Sequence, residues 1–278
     1  MITFPNAKIN IGLHITGKRD DGYHDLATVF YPIGLADVLE VIEKKDNRDG
    51  KDITFINTGI GIDCNDDSNL VVKAYRKIQS GFSLPPVTAV LRKNIPFGAG
   101  LGGGSADASF MLMTLNDMFS LGITETQLTD MAAQLGADCP FFIKNRCMSA
   151  TGRGDVFAEM PSDFSLKGYH IVLIKPDIYI STKTAFSGIV LHKTPRAPLT
   201  EALKAPIEAW KDTVENDFEK NIFAAYPEIA AIKSGLYSLG AVYASMSGSG
   251  SSVYGIFKEE PAFGKEKFPG CFFWKGKC

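Results

Sequence analysis

The chain has 278 residues, 45% of them hydrophobic and 22% charged, with 31 acidic residues against 29 basic ones and a formal charge of −2. That length exceeds what one small core organises, so two domains are expected. The near balance of charge leaves no broad basic surface and argues against a nucleic-acid partner.

The opening MITFPNAKIN lacks the charged and apolar regions of a signal peptide. Residues 7–15, AKINIGLHI, alternate: Ala7, Ile9, Ile11, Leu13 and Ile15 point one way, and Lys8, Asn10, Gly12 and His14 the other. This predicts a half-buried strand with Lys8 on its polar face. A turn-rich stretch, GKRDDGYHDL, follows. DVLEVIEKKD and DITFIN read as strands, and SNLVVKAYRKIQS as a helix with Asn69 near its start. PVTAVLRKNIPF reads as a strand that leads into glycines. After them Ala108, Met111, Leu112, Leu115, Met118 and Phe119 keep the spacing of an amphipathic helix. TETQLTDMAAQLG reads as a further helix, with Thr124 and Gln127 at capping-box spacing and Gly136 at its stop. Residues 137–157 read as strand-like. Polar turn residues around EMPSDFSLKG place a boundary between domains 1–158 and 159–278. YHIVLIKP then reads as a strand, PLTEALKAPIEAWKD and IFAAYPEIAAIKSGLYSLG as helices, and AVYASMSGSGSSVYGIF as strand, glycine–serine loop, strand.

No apolar run nears the roughly 20 residues that span a bilayer. Five scattered cysteines (Cys64, Cys139, Cys147, Cys271 and Cys278) form no CxxC pair. They fit reduced thiols in a cytoplasmic protein better than a disulfide framework or a zinc site. His14 and His170 lack metal-ligand spacing with other groups and read as structural.

The segment IPFGAGLGGGSADAS carries five glycines between Gly98 and Gly104. Glycine lets another group approach the main chain, and a helix N-terminus offers unpaired N–H groups with a partial positive charge. The two together predict a phosphate site. No lysine follows as a P-loop requires, and the GxGxxG match at Gly98, Gly100 and Gly103 is weak because any loop this rich satisfies it. A dinucleotide site also needs an acidic residue ending a second strand, and that region is helix and turn.

PFGAGLGGGSADAS resembles the phosphate-binding motif of the GHMP kinases. PNAKINIGLHI and SMSGSGSSVYGIF resemble that family's N- and C-terminal motifs, in the expected order. Ala7-Lys8-Ile9-Asn10, Arg19 to His24, Gly98 to Ser105, and Gly136-Ala137-Asp138-Cys139-Pro140-Phe141-Phe142 are similar to members whose alcohol substrate carries a cytidine diphosphate group. Ala106 stands where a second serine is common. The resemblance spans almost the whole chain. It implies an α+β, two-domain kinase fold, with a ribosomal-S5-like N-terminal domain, a ferredoxin-like C-terminal domain and a cleft between them. The implied activity is ATP-dependent phosphorylation of the C2 hydroxyl of a methylerythritol bearing cytidine diphosphate, on the non-mevalonate route to isoprenoids. The rivals are a family member acting on mevalonate or homoserine, and a non-catalytic nucleotide sensor of the same fold.

By the same resemblance Asp138 is the general base, and Lys8 lies close to it and offsets charge on the transferring phosphoryl group. Pro96, Phe97, Gly98, Ala99, Gly100, Leu101, Gly102, Gly103, Gly104, Ser105 and Ala106 hold the ATP phosphates. Asn69, Leu70 and Lys93 surround the nucleoside. Asn10 contacts the substrate, Tyr23 and His24 line the cytidine pocket, and Phe186 closes it, with Lys144 and Thr182 nearby. Residues 247–252 buttress the phosphate site. Mg²⁺ is expected to arrive with ATP, since no cage of carboxylates is visible in the sequence.

Overall fold

The computed structural model describes residues 1–48, 50–61, 66–161, 164–189, 191 and 196–278. Cys64 lies outside the described residues. The fold is α+β. Its first half contains β1 (Ile2–Thr3), β2 (Asn6–Lys18), β3 (His24–Ala36), β4 (Val38–Glu43), β5 (Ile53–Gly59), α1 (Leu70–Gln79), β6 (Val87–Lys93), α2 (Gly103–Met118), α3 (Glu125–Ala133) and α4 (Cys139–Lys144). It continues with β7 (Met148–Thr151), β8 (Val156–Glu159), β9 (His170–Lys175), α5 (Thr182–Ser187), α6 (Leu199–Ala202), α7 (Phe218–Ala225), α8 (Pro227–Ser238), β10 (Tyr243–Met246), β11 (Val253–Phe257) and β12 (Phe272–Lys277).

The strands form three sheets, ordered β1-β4-β6-β5, β2-β3-β7-β8 and β10-β11-β9-β12. Two compact units result. One is Met1–Ala7, Leu35–Phe97 and Gly102–Arg146, and the other is Lys8–Gly34, Gly98–Leu101 and Cys147–Cys278. A single cut after residue 158 does not reproduce this grouping. The reason lies in β2: Leu13 bridges to Asn216, and Leu13 and Ile15 share a core with Val172 and Phe218, partners that all lie beyond residue 158.

In the first unit β6 alternates cleanly. Val87, Ala89 and Leu91 face inward onto α1 and α2, and Arg92 faces out. The core there joins Leu39, Val41, Tyr75, Ile78, Met111, Leu112 and Leu115. The capping box expected at Thr124 and Gln127 is present. In the second unit Leu13, Ile15, Val172, Ile174, Phe218, Ile222, Ile232, Leu236 and Val253 share one core.

Four expectations need correction. β2 is not half-buried, because every residue from Ala7 to Ile15 is buried, Lys8 and His14 included. Its polar side chains turn inward to hydrogen-bond partners instead of water. The segment after Gly136 enters helix α4 before any strand; Pro140 falls in the first turn, where its missing N–H costs nothing. The helix expected over 198–212 is a short α6 followed by a 3-10 helix at Ile207–Asp212. The helix expected over 222–240 is two, α7 and α8, parted at Tyr226 because Pro227 can start a helix and cannot continue one. Strands β3 and β12 and helix α5 were not expected. Pro32 and Gly34 disguise β3.

Candidate active site

Gly98, Gly100 and Gly102 have positive φ (61°, 74° and 70°), whereas Gly103 and Gly104 open α2. The five glycines therefore do two jobs. The first three bend the loop, and the last two lie in a helix N-terminus.

In the second unit the loop rests on the C-terminal glycine–serine turn. A Cβ at Gly100 would run into the carbonyl oxygen of Ser247. The Ser247 hydroxyl donates to the Gly100 carbonyl (2.8 Å) and accepts from the Asn10 N–H (3.1 Å). Asn216, buried, donates from its amide to the carbonyls of Met246 and Gly248, both at 2.8 Å, and fixes that turn from behind. Lys8 is 3% exposed. Its ammonium donates to Asn10 Oδ1 (2.7 Å) and the Gly100 carbonyl (3.3 Å), and lies 4.4 Å from the centre of the Phe30 ring. Asn10 in turn donates to Thr28 (3.0 Å), so the side chain expected to meet substrate is engaged in aiming Lys8.

Also in this unit, the His24 and Phe186 rings stack at 4.9 Å and 18°, and Phe186 meets Phe218 edge-on. Tyr23 is 59% exposed and carries the Arg153 guanidinium over its ring at 5.5 Å. Thr182 is the exposed first residue of α5. Tyr179, not singled out by any motif, lies so close to Gly98 that a Cβ there would sit 2.6 Å from its ring.

In the first unit α2 begins at Gly103 behind Gly102, with no side-chain cap. Gly104 is exposed, and a Cβ there would meet only Leu70, at an ordinary 3.7 Å. Ser105 hydrogen-bonds the Cys139 thiol, which burial pushes up to about 11. The Ser109 hydroxyl reaches both the Ser105 carbonyl (2.9 Å) and the Cys139 carbonyl (2.7 Å). These bonds tie the mouth of α2 to the turn that carries Asp138. Asp138 is half-buried at the cap position of α4, and its side chain makes no capping bond. Ala106 is buried, and Lys144 is exposed in the last turn of α4. Pro96 precedes Phe97, which is 63% exposed.

Asn69 caps α1, accepting the Val71 N–H at 2.8 Å. Lys93 is buried with its ammonium between Asp37 and Asp107. Burial opposes its charge, but the two carboxylates outweigh burial and hold its pKa above the usual lysine value. For Asp107 burial dominates, and its carboxyl is held far above the usual carboxylate range despite Lys93. Among the described residues no group of three or more His, Cys, Asp or Glu is gathered as if for a metal ion.

Asp37, Asp107, Ser247, Asn216 and Tyr179 were not picked out individually from the sequence. Lys93 offered a signal: it extends the inward row Val87, Ala89, Leu91, and a lysine in such a row requires buried carboxylates. Asn216 and Tyr179 gave none.

A family model described as GHMP kinases N terminal domain matches residues 69–146, and one described as GHMP kinases C terminal matches residues 199–269. A Bacteroides fragilis protein named 4-diphosphocytidyl-2-C-methyl-D-erythritol kinase is 52% identical over 272 residues, covering 98% of this chain and 97% of the relative. A crystal structure of 4-(cytidine 5'-diphospho)-2C-methyl-D-erythritol kinase superposes with a TM-score of 0.82 at 27% identity, covering 99% and 98% of the two chains. The Methanococcus jannaschii mevalonate kinase shares the fold, with a TM-score of 0.74 at 14% identity over 99% of this chain and 97% of its own.

Proposed function

The chain belongs to the GHMP kinases, and from that membership we propose that it transfers the γ-phosphoryl group of ATP to the C2 hydroxyl of 4-diphosphocytidyl-2-C-methyl-D-erythritol. The observation that carries the reading is the uncapped start of α2, where Gly103, Gly104 and Ser105 follow a left-handed Gly102. Helix N–H groups left without a cap attract an anion, and polyphosphate is the usual one. Relatives named for the same substrate, matched over nearly their whole length, support the choice of acceptor.

Residues 96–106 cradle the ATP phosphates, and Asn69, Leu70 and Lys93 border the nucleoside. The Leu70 side chain beside Gly104 supports that assignment. Asp138 takes the proton from the C2 hydroxyl as its oxygen bonds to the γ-phosphorus and the bond to the bridging oxygen of ADP breaks. Lys8 stabilises charge on the phosphoryl oxygens. Asn10 holds Lys8 in position and contacts the acceptor. Tyr23, His24 and Phe186 recognise the cytidine, with Lys144 and Thr182 at its edge. Mg²⁺ neutralises phosphate charge when it arrives bound to ATP, and the chain's own groups supply the base and the lysine. A cytoplasmic setting fits the four described cysteines, all free thiols.

ADP release with the cytidyl substrate, set against mevalonate, tests the assignment. Turnover with the first and not the second is expected; the reverse would move the chain to another branch of the family. Asp138→Asn should lower kcat by about 10²-fold or more, with ADP affinity retained. Near-normal turnover in that variant would remove Asp138 from the base role.

A further inference from the structure

The phosphate loop is clamped at both ends by one buried charge cluster, and we infer that Asp107 is a positioning residue for nucleotide binding within it, alongside Asp37 and Lys93. The inference rests on the reading that ATP phosphates occupy the start of α2.

All three side chains are buried. At the entry to the loop, Asp37 Oδ1 accepts the N–H groups of Asn94 (2.6 Å) and Ile95 (2.8 Å), while Oδ2 accepts from Lys93. The Asn94 amide donates to the Ala36 carbonyl at 2.9 Å, which fixes the same corner again. At the exit, Asp107 in α2 accepts from the Lys93 ammonium at 2.8 Å. That ammonium also lies 3.2 Å from where a Cβ of Gly103 would be, directly against the first residue of the helix. The glycine segment 96–102 is thus strung between two points that one lysine holds together.

Folding alone does not explain this arrangement. Two carboxyl groups crowd one ammonium away from water, and Asp107 Oδ1 is buried with no hydrogen-bond partner. An apolar group at position 107 would be the less costly occupant. What the cluster supplies is a fixed span. Ser247 and Lys8 hold the loop at Gly100, and the cluster fixes its entry and exit; ends left to order on binding would be charged against affinity.

Asp107→Ala releases the exit end and removes a buried, unpartnered oxygen, so the full-length variant should fold. Asp107→Asn keeps an oxygen for Lys93. For the alanine variant, KM for ATP and the calorimetric Kd for ADP should rise about tenfold, with kcat within about twofold and an unchanged or higher melting temperature. The asparagine variant should return both constants to within about threefold of wild type. An alanine variant with wild-type ADP affinity would overturn the inference. So would a parallel loss of kcat, KM and melting temperature, because that is the signature of general damage. Wild-type protein that shows no heat with ADP would overturn the nucleotide reading beneath it, an outcome distinct from either of these.

Discussion

Lys8 is a charged group with almost no water around it. An ammonium in that position needs acceptors, and it has the Asn10 amide oxygen, the Gly100 carbonyl and the face of Phe30. These three are neutral groups, and they aim the ammonium along the glycine loop. Lys93 is aimed instead by the carboxyl groups of Asp37 and Asp107. The two buried lysines should therefore respond differently to the same substitution. Lys8→Met keeps an apolar stem against Phe30 and removes only the charge. Its kcat should fall about 10²–10³-fold, the range for losing one preorganised electrostatic donor, while the melting temperature moves little. Steady-state kinetics beside a thermal melt checks this. A kcat within threefold of wild type would leave Lys8 as a loop anchor without a part in the chemistry.

At the scale of elements, the glycine loop and α2 separate residues that look alike in sequence. Gly100 is required by the fold: its φ is +74° and the Ser247 carbonyl occupies the space of a Cβ. Gly104 is not, since it is exposed, helical and free of close neighbours. Gly104→Ala should stabilise the protein by about 0.5–1 kcal/mol through helix propensity, yet raise KM for ATP by crowding the phosphates. Gly100→Ala should destabilise it by at least 1–2 kcal/mol from the left-handed strain alone. Denaturant melts with and without ADP distinguish the two. A Gly104→Ala protein with wild-type KM would remove the reason for a glycine there. This difference was hidden in the sequence, because spacing marks a glycine and says nothing about what lies against it. The regular elements were readable where apolar period and local chemistry agree, as in β6, α1 and the Thr124 capping box. They were misread where the deciding partner is distant in the chain. In β2 the Asn10 backbone N–H and carbonyl are met by Ser247 and Tyr254, more than 230 residues away, and the Lys8 ammonium by the Gly100 carbonyl, 92 residues away. In α4, Pro140 signals a break although it sits in a first turn, the one helical position that suits it.

On the scale of the whole molecule, the fold does not choose the substrate. The Methanococcus jannaschii mevalonate kinase has the same architecture at 14% identity, so selectivity lies in side chains placed on a shared scaffold. The motif combination made the family legible, and it placed the expected cytidine contacts on Tyr23, His24 and Phe186. The structure brings His24 and Phe186 into one stack within the second unit. The phosphate-loop helix, by contrast, begins in the first unit, and each ligand should therefore leave its own footprint. With ligand at about 100 times its Kd, amides that exchange only after release should slow by about 100-fold. CDP should protect residues 23–28 and 182–189, and ADP should protect 98–106. His24→Ala should weaken CDP by about 1–3 kcal/mol, the scale of one base–aromatic contact, and leave the ADP footprint intact. Hydrogen exchange followed by peptide mass spectrometry reads all of these in one experiment. If CDP protected only the glycine run, the Tyr23 turn would lose its assignment, and selectivity for the acceptor would have to reside elsewhere on the scaffold.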